Sequence, residues 1–248
     1  MGKLDGQRAW ITGGGSGIGA GAAVALAEAG AEVIVSGRRA EPLEKVVAQI
    51  RAAGGKATAE PVDVADSAAV RAVAERIGPV DILVANAGLN TPDRSFAQVR
   101  DESWDKVVGV NLNGVFYAVQ AALPGMRANG GGLMVLVSSW AGRYVGRLTG
   151  PAYNATKRAV IALGESVNCE EGGNGIRCTV VMPGEVATDI LMSRPVPPSP
   201  EDMERMLTVE DMGATIRFVA EMPPHVCLNE ILISPTWNRF YQGMKEVK

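Results

Sequence analysis

Seven short β-rich runs are separated by six helix-length amphipathic stretches, and this alternation constrains the fold more than any other feature of the chain. The runs are RAWIT (8–12), AEVIVSG (31–37), KATAEPV (56–62), VDILVANAG (80–88), GLMVLVSS (132–139), IRCTVVMPG (176–184) and NEILISP (229–235). Helical periodicity covers 17–30, 41–53, 66–78, 103–129, 152–173 and 209–221. Parallel strands need crossovers of a dozen or more residues, which these stretches supply. Runs that are apolar along their length suit a sheet covered on both faces. With right-handed crossovers the order predicts an α/β fold, a doubly wound parallel sheet of about seven strands with helices on both faces. No composition break divides the chain, so residues 1–248 are expected to form one domain. The Pro-rich stretch SRPVPPSPEDMERM (193–206) follows the sixth run and is expected to be a mobile loop. It emerges beyond the carboxyl ends of the strands, where open α/β sheets bind ligands, so the substrate loop is placed at about 185–210.

Composition removes several classes of function. A net charge of −3 with no basic face gives no reason to expect nucleic acid. The three cysteines, Cys169, Cys178 and Cys227, have no metal-ligand spacing; they are expected to be buried free thiols in a reduced, cytoplasmic protein. His225 is the sole histidine, which leaves no Ser–His triad and no histidine-based zinc site, and no metal is expected. The amino terminus runs directly into a strand, and no window is expected to offer the apolar run of a membrane span.

Between the first strand and first helix lies Thr12-Gly13-Gly14-Gly15-Ser16-Gly17-Ile18-Gly19. Glycines there let the backbone turn tightly and approach a pyrophosphate, whose charge is met by N–H groups at the helix start. A triphosphate loop needs Lys followed by Ser or Thr, and Ile18-Gly19-Ala20 supplies neither. Tight strand–helix turns also use glycine for steric reasons alone, but the position after the first strand of a βαβ chain favours a dinucleotide site of Rossmann type, with Gly13, Gly15, Ser16, Gly17, Ile18 and Gly19 as its expected contacts. Where NAD-binding folds commonly place an acidic residue, at the end of the second strand, this chain has Ser36-Gly37-Arg38-Arg39. With no carboxylate to repel a 2′-phosphate, and with Ser36, Arg38 and Arg39 to receive one, NADP is expected, with NAD the alternative. The other reading makes both arginines solvated residues ahead of a helix.

PAYNATKRAV (151–160) puts Tyr153 and Lys157 four apart, hence on one helix face. An ammonium near a phenol favours the phenolate, lowering a pKa of about 10 toward the range of a working proton donor and acceptor. The spacing recurs at Tyr241 and Lys245, in a tail beyond the last strand. Tyr153 instead follows VLVSS, the run that ends at the ligand side of the sheet, so the first pair is the candidate.

TGGGSGIG, VANAG (84–88), VNLNG (110–114), VSSWAG (137–142), YNATK (153–157) and MPGEVATDI (182–190) stand in the order found in the short-chain dehydrogenase/reductase family, which the chain resembles over essentially its whole length. The resemblance implies an NADP-dependent oxidoreductase acting on a small carbonyl or alcohol. It implies that Tyr153 is the acid/base, Lys157 the residue that binds the nicotinamide ribose and depresses the tyrosine pKa, and Ser139 the holder of the substrate oxygen. Asn111 resembles the asparagine of a water relay, or else satisfies helix backbone. The interval from Ser139 to Tyr153 is one residue longer than the family's usual one, which places an insertion in 140–152 and keeps Ser138 as the fallback. Asp63 and Val64 resemble the adenine contact, with Asp66 a helix cap. Asn86, Ala87 and Gly88 match the wall of the adenosine ribose, and Asn86 serves equally as a clasp for the sheet. Pro183, Gly184, Val186 and Thr188 look like the segment that fixes the nicotinamide, Thr188 being otherwise a plain loop hydroxyl. Trp140 either walls the substrate pocket or packs inward.

Family members commonly form dimers or tetramers. The resemblance implies the same here through helices 103–129 and 152–173, where Ala155, Ala159, Ala162 and Gly164 permit close approach. Two other classes stay open: a module that senses NADP(H) without turnover, and epimerisation or dehydration of nucleotide sugars on the same fold.

Overall fold

A computed structural model describes residues 2–241. Seven parallel strands form one sheet in the order β3-β2-β1-β4-β5-β6-β7. They are β1 Arg8–Thr12, β2 Glu32–Gly37, β3 Lys56–Pro61, β4 Ile82–Ala85, β5 Gly132–Val137, β6 Ile176–Pro183 and β7 Glu230–Ile233, each within its expected run. The helices are α1 Gly17–Glu28, α2 Ala40–Ala52, α3 Ser67–Ile77, α4 Asp101–Val108, α5 Gly114–Ala128, α6 Trp140–Arg143, α7 Pro151–Glu171, α8 Pro200–Glu204 and α9 Val209–Ala220. Asp66 caps α3 by accepting from the Ala68 and Ala69 amides, as expected of an aspartate at that position.

Alternation along the strands fills two cores. In β1, Ala9 and Ile11 join the core beneath α1, α2 and α9, while Trp10 faces the core beneath α3, α5 and α7. In β5, Leu133, Val135 and Val137 take the first side, and Met134 and Leu136 the second. Helices on both faces explain why these runs read as continuously apolar.

The structure departs from the sequence reading in several places. The helix expected over 103–129 is broken by a π-helical turn at Gly109–Asn113, which separates α4 from α5. The stretch read as a mobile loop, 193–206, follows a 3₁₀ turn, Asp189–Ser193, and holds the helix α8, capped by the Ser199 hydroxyl. Among the described residues Asp101–Ala128 is long and apolar enough to cross a membrane by length and composition, contrary to expectation. Its inner face is committed to the fold, with Val107, Val115, Ala118 and Met126 buried. Of the three free cysteines only Cys178 is buried; Cys169 and Cys227 are exposed. Gly164 faces inward, where a Cβ would lie 2.3 Å from Val180 Cγ2, so it opens no space for a second chain. Ala155 and Ala162 do face outward.

Helices α1 and α9 meet backbone to backbone. A Cβ on Gly213 would lie 2.5 Å from the Gly21 carbonyl oxygen, and one on Gly21 would lie 2.3 Å from the Val209 carbonyl oxygen. This contact holds the helix of the glycine loop against the layer that follows the substrate loop. Gly213→Ala is expected to lower unfolding stability by about 1–3 kcal/mol through overpacking against rigid backbone. Denaturant titration reads it, and a midpoint equal to the wild type's would mean the helices are not locked at this contact.

Candidate active site

The sheet order reverses between β1 and β4, so the chain leaves these neighbours in opposite directions and a crevice opens beyond their carboxyl ends. Thr12 and Asn86 tie the two ends together. Thr12 Oγ1 accepts from the amides of Asn86 and Ala87 at 3.1 and 3.2 Å, and Asn86 Nδ2 donates to the carbonyls of Thr12 and Gly13 at 3.1 and 3.2 Å. Asn86 is therefore the clasp, and it also lines the crevice.

The glycine loop lies against this clasp with no room for side chains. Gly13 has a φ of +66°, and a Cβ there would lie 2.8 Å from both Ala87 Cα and Asn86 Nδ2. A Cβ on Gly19 would lie 2.3 Å from the Gly13 carbonyl oxygen. Ser16 precedes α1 in extended conformation, and its side chain makes no capping bond. The first amides of α1 thus face the crevice, with the positive end of the helix dipole behind them. A backbone cradle that any side chain would fill, at a helix start, fits a pyrophosphate.

The crevice has two halves joined over Gly13, Ser16, Ala87 and Gly88. One half is lined by Gly15, Arg38, Arg39, Asp63 and Val64. Arg38 and Arg39 are exposed, and Asp63 accepts from the Ala65 amide at 3.0 Å. Ser36 must be withdrawn as a phosphate contact: it is fully buried, and its Oγ accepts from the Trp10 indole N–H at 2.9 Å. The other half, a cavity of about 270 Å³, is lined by Gly17, Ile18, Ser139, Tyr153, Lys157, Pro183, Gly184, Val186 and Thr188 among others. Thr188 lies against the glycine loop, its Cγ2 3.2 Å from where a Gly17 Cβ would be. Of the candidate residues, only Gly19, Ser36 and Asn111 do not line the crevice.

Three candidate catalytic side chains converge at the inner end of this cavity. Ser139 follows β5 and caps α6, accepting from the Ala141 amide at 3.2 Å. Tyr153 stands in the first turn of α7, and Lys157 one turn later. Ser138, the fallback, also lines the cavity, but it is buried and its hydroxyl donates to the Lys157 carbonyl at 2.6 Å. The side chain of Asn111, fully buried on the π-helical turn, accepts from the Leu89 amide at 2.8 Å and donates to the Leu89 carbonyl at 2.9 Å. It braces the backbone after β4. A Cβ on Gly88 would nonetheless lie 3.3 Å from Lys157 Nζ and 3.5 Å from Asn111 Oδ1, so Asn111 borders the lysine across that glycine.

The electrostatics differ from expectation. Lys157 Nζ donates to the Val137 carbonyl at 2.8 Å and sits 5.7 Å from the centroid of the Tyr153 ring, over its face. Burial pushes the ammonium down to about 8. The same burial raises the Tyr153 phenol above its ordinary value, although hydrogen bonding by Ser139 and the charges of Arg194 and Arg94 pull the other way. The phenol is thus not acidified in this structure. Desolvation outweighs the neighbouring charges, which come from Arg194 and Arg94.

Sequence reasoning missed those arginines and the group that holds one of them. Arg94 and Arg194 line the cavity beside Tyr153, together with Glu185 and Phe240. Glu185 is buried and accepts from Arg194 Nη1 at 2.6 Å and from Arg239 Nε and Nη2 at 2.7 and 2.8 Å. Burial opposes its charge, but the bonds from Arg239 and Arg194 prevail and hold its carboxyl below the usual range. Arg239 also donates to Asp202 at 2.8 Å. Glu185 lies within MPGEVATDI, yet a glutamate in a loop carries no periodic signal, and its partners lie 9 and 54 residues away. Trp140 is buried and lines the cavity, stacked on Phe240 at 5.8 Å. His225 is exposed, and Lys245 of the second Tyr–Lys pair lies outside the described residues.

The short chain dehydrogenase family profile matches residues 7–197. Glycine betaine reductase ATRR of Emericella nidulans is 39% identical over 243 residues, which are 94% of this chain but 19% of that much longer protein. The alcohol dehydrogenase of the archaeon Thermococcus sibiricus complexed with 5-hydroxy-NADP superposes with a TM-score of 0.84 at 28% identity, covering 94% of this chain and 98% of that one. A metagenomic short-chain oxidoreductase in complex with NADP superposes at 0.82 with 29% identity, covering 95% and 100%.

The depressed Lys157 makes a thermodynamic prediction. Its folded value of about 8 lies below the ordinary 10.5, so between those values the unfolded chain binds more protons and stability rises with pH on this group's account. The wild type should therefore gain on Lys157→Met by about 2–3 kcal/mol between pH 8 and pH 10. Chemical denaturation of the two proteins across that window measures it; parallel curves would mean the ammonium is not desolvated.

Proposed function

The chain belongs to the short-chain dehydrogenase/reductase family, and from that premise we propose that it moves a hydride between NADP(H) and a carbonyl–alcohol pair, with Tyr153 as proton donor and acceptor. It is an oxidoreductase of that family, NAD(P)-dependent by fold. The observation that carries the finer reading is the meeting of Ser139 and Tyr153 at the inner end of the crevice that begins at the glycine loop.

Gly13, Gly15, Ser16, Gly17 and Ile18, with the first amides of α1, would hold the dinucleotide's pyrophosphate. Pro183, Gly184, Val186 and Thr188 line the half that would take its nicotinamide. When bound, the dinucleotide supplies or accepts the hydride. The protein's part is to place a carbonyl oxygen between two hydroxyls. Ser139 donates to that oxygen, and Tyr153 delivers a proton to it as negative charge develops. A phenol held above its ordinary pKa is fully protonated at neutral pH, which suits the reducing direction. Lys157, pinned to the Val137 carbonyl, keeps a positive charge over the face of the phenol as it gives up its proton.

Exposed Arg38 and Arg39, with no acidic residue at the end of β2, support NADP over NAD. Two of the superposing structures hold NADP or a derivative.

Two variants test this reading. Tyr153→Phe should lower kcat for carbonyl reduction by about 10²–10⁴-fold while the NADPH Kd, read by fluorescence titration, stays within a few-fold; undiminished turnover would remove Tyr153 from the chemistry. Arg38→Ala should weaken NADPH by about ten- to a hundredfold and leave NADH unchanged, the effect of losing one charge-assisted hydrogen bond. An unaltered ratio of the two affinities would return Arg38 to solvent.

A further inference from the structure

Resting on the carbonyl–alcohol reaction proposed above, we infer that the tail after β7 completes the substrate site: Phe240 is a wall that restricts the substrate to a small carbonyl compound with a short substituent, and Arg239 is the residue that positions it. Phe240 lines the cavity that holds Ser139 and Tyr153, and so does Trp140, on which it stacks with ring planes 3° apart. Trp140 directly follows Ser139, so this aromatic pair stands on the side where the substrate oxygen would be held. At about 270 Å³ the cavity is smaller than the roughly 300–1,000 Å³ of pockets that take drug-sized ligands, and it has to take the nicotinamide as well as the substrate.

The tail is built to hold that ring still. Arg239 Nε and Nη2 donate to the Glu185 carboxylate at 2.7 and 2.8 Å, and Nη1 donates to Asp202 of α8 at 2.8 Å. The Arg239 side chain is 6% exposed and that of Glu185 2%, so the fork is buried. Ions at this depth persist only when paired, and removing one partner is strongly unfavourable. The bonds join three pieces of chain, the turn after β6, the helix α8 and the tail, at the residue next to Phe240. Arg194 shares the same carboxylate, so the loop after the 3₁₀ turn is tied to that point as well. The backbone is closed on the same spot: Asn238, itself buried, accepts the Phe240 amide on Oδ1 at 3.0 Å, and its carbonyl accepts the Tyr241 amide at 3.0 Å. One residue earlier, Trp237 lies under the Arg205 guanidinium, 5.0 Å from the ring centroid.

What this anchor fixes is one wall of the reaction cavity. Trp140 is enclosed by Phe240 at 5.8 Å, by Tyr241 edge-on at 5.4 Å and by Tyr144 at 4.9 Å, two of the three supplied by the tail. Tyr144 and Tyr241 are exposed, whereas Phe240 is half-buried and alone of the three lines the cavity. Shortening Phe240 therefore opens the cavity along the face of Trp140. Releasing Arg239 has the same effect by a different route, because the ring is then free to leave its stack.

The test uses the full-length protein, NADPH and a series of aldehydes R–CH₂–CHO in which R grows from methyl through propyl to phenyl and naphthyl. In the wild type kcat/KM should fall at least about tenfold from the methyl to the naphthyl member, the scale on which an apolar pocket discriminates by size. In Phe240→Ala the naphthyl member should gain about tenfold, chiefly through KM, while the methyl member loses, a crossover that general damage to the fold cannot produce. Phe240→Leu should fall between the two. Arg239→Met should shift the profile in the same direction and Arg239→Lys less so, with the NADPH Kd within a few-fold throughout. Should Arg239→Met fail to fold, the Phe240 variants decide on the wall and Arg239→Lys on the anchor. A wild type that prefers the naphthyl member, or a Phe240→Ala profile parallel to the wild type's, overturns the inference without touching the reaction. So does a loss of NADPH affinity in Phe240→Ala as large as the change in KM, because the ring would then serve the cofactor. A folded Arg239 variant with the wild-type profile removes Arg239 as the positioning residue. If no member of the series is reduced, the proposed reaction falls and this inference with it.

Discussion

The clasp between Thr12 and Asn86 is the contact on which the site is built. Where β1 and β4 part, a doubly wound sheet has two loose strand ends and a crevice between them. One hydroxyl accepting from two amides, and one carboxamide donating to two carbonyls, join the glycine loop to the turn after β4 as a single piece of backbone. The floor common to both halves of the crevice, Gly13, Ser16, Ala87 and Gly88, is that piece. Its position relative to the chemistry is set by Asn111, which grips Leu89 by both backbone groups, so the same loop is fixed from below and from behind. The π-helical turn that interrupts α4 and α5 is the local cost of pointing Asn111 at that loop.

What could be read from the chain beforehand was whatever repeats or sits at a fixed offset. Strand and helix periods gave all seven strands and five of the six expected helices, the one over 103–129 being split by the π-helical turn, and the spacing of Tyr153 and Lys157 placed both on one face of α7. The glycine loop was legible because backbone approach leaves a compositional mark. Loops leave no such mark. The buried set Glu185, Arg194, Arg239 and Asp202 joins residues up to 54 apart along the chain, and only the folded tail brings Arg239 beneath the substrate loop. Ser36 shows the opposite failure: a polar residue at the right place was read as a ligand contact, but Trp10 on the neighbouring strand claims its oxygen.

The sign of the Tyr153 shift has the same origin. A pair of residues four apart says that a cation is near a phenol, but nothing about how much water is left around either. In the folded chain burial drives both groups toward their neutral forms, the phenol upward and the ammonium downward. The attraction that favours phenolate comes from Arg194 and Arg94 on the substrate side, with Lys157 facing the ring and tied to β5.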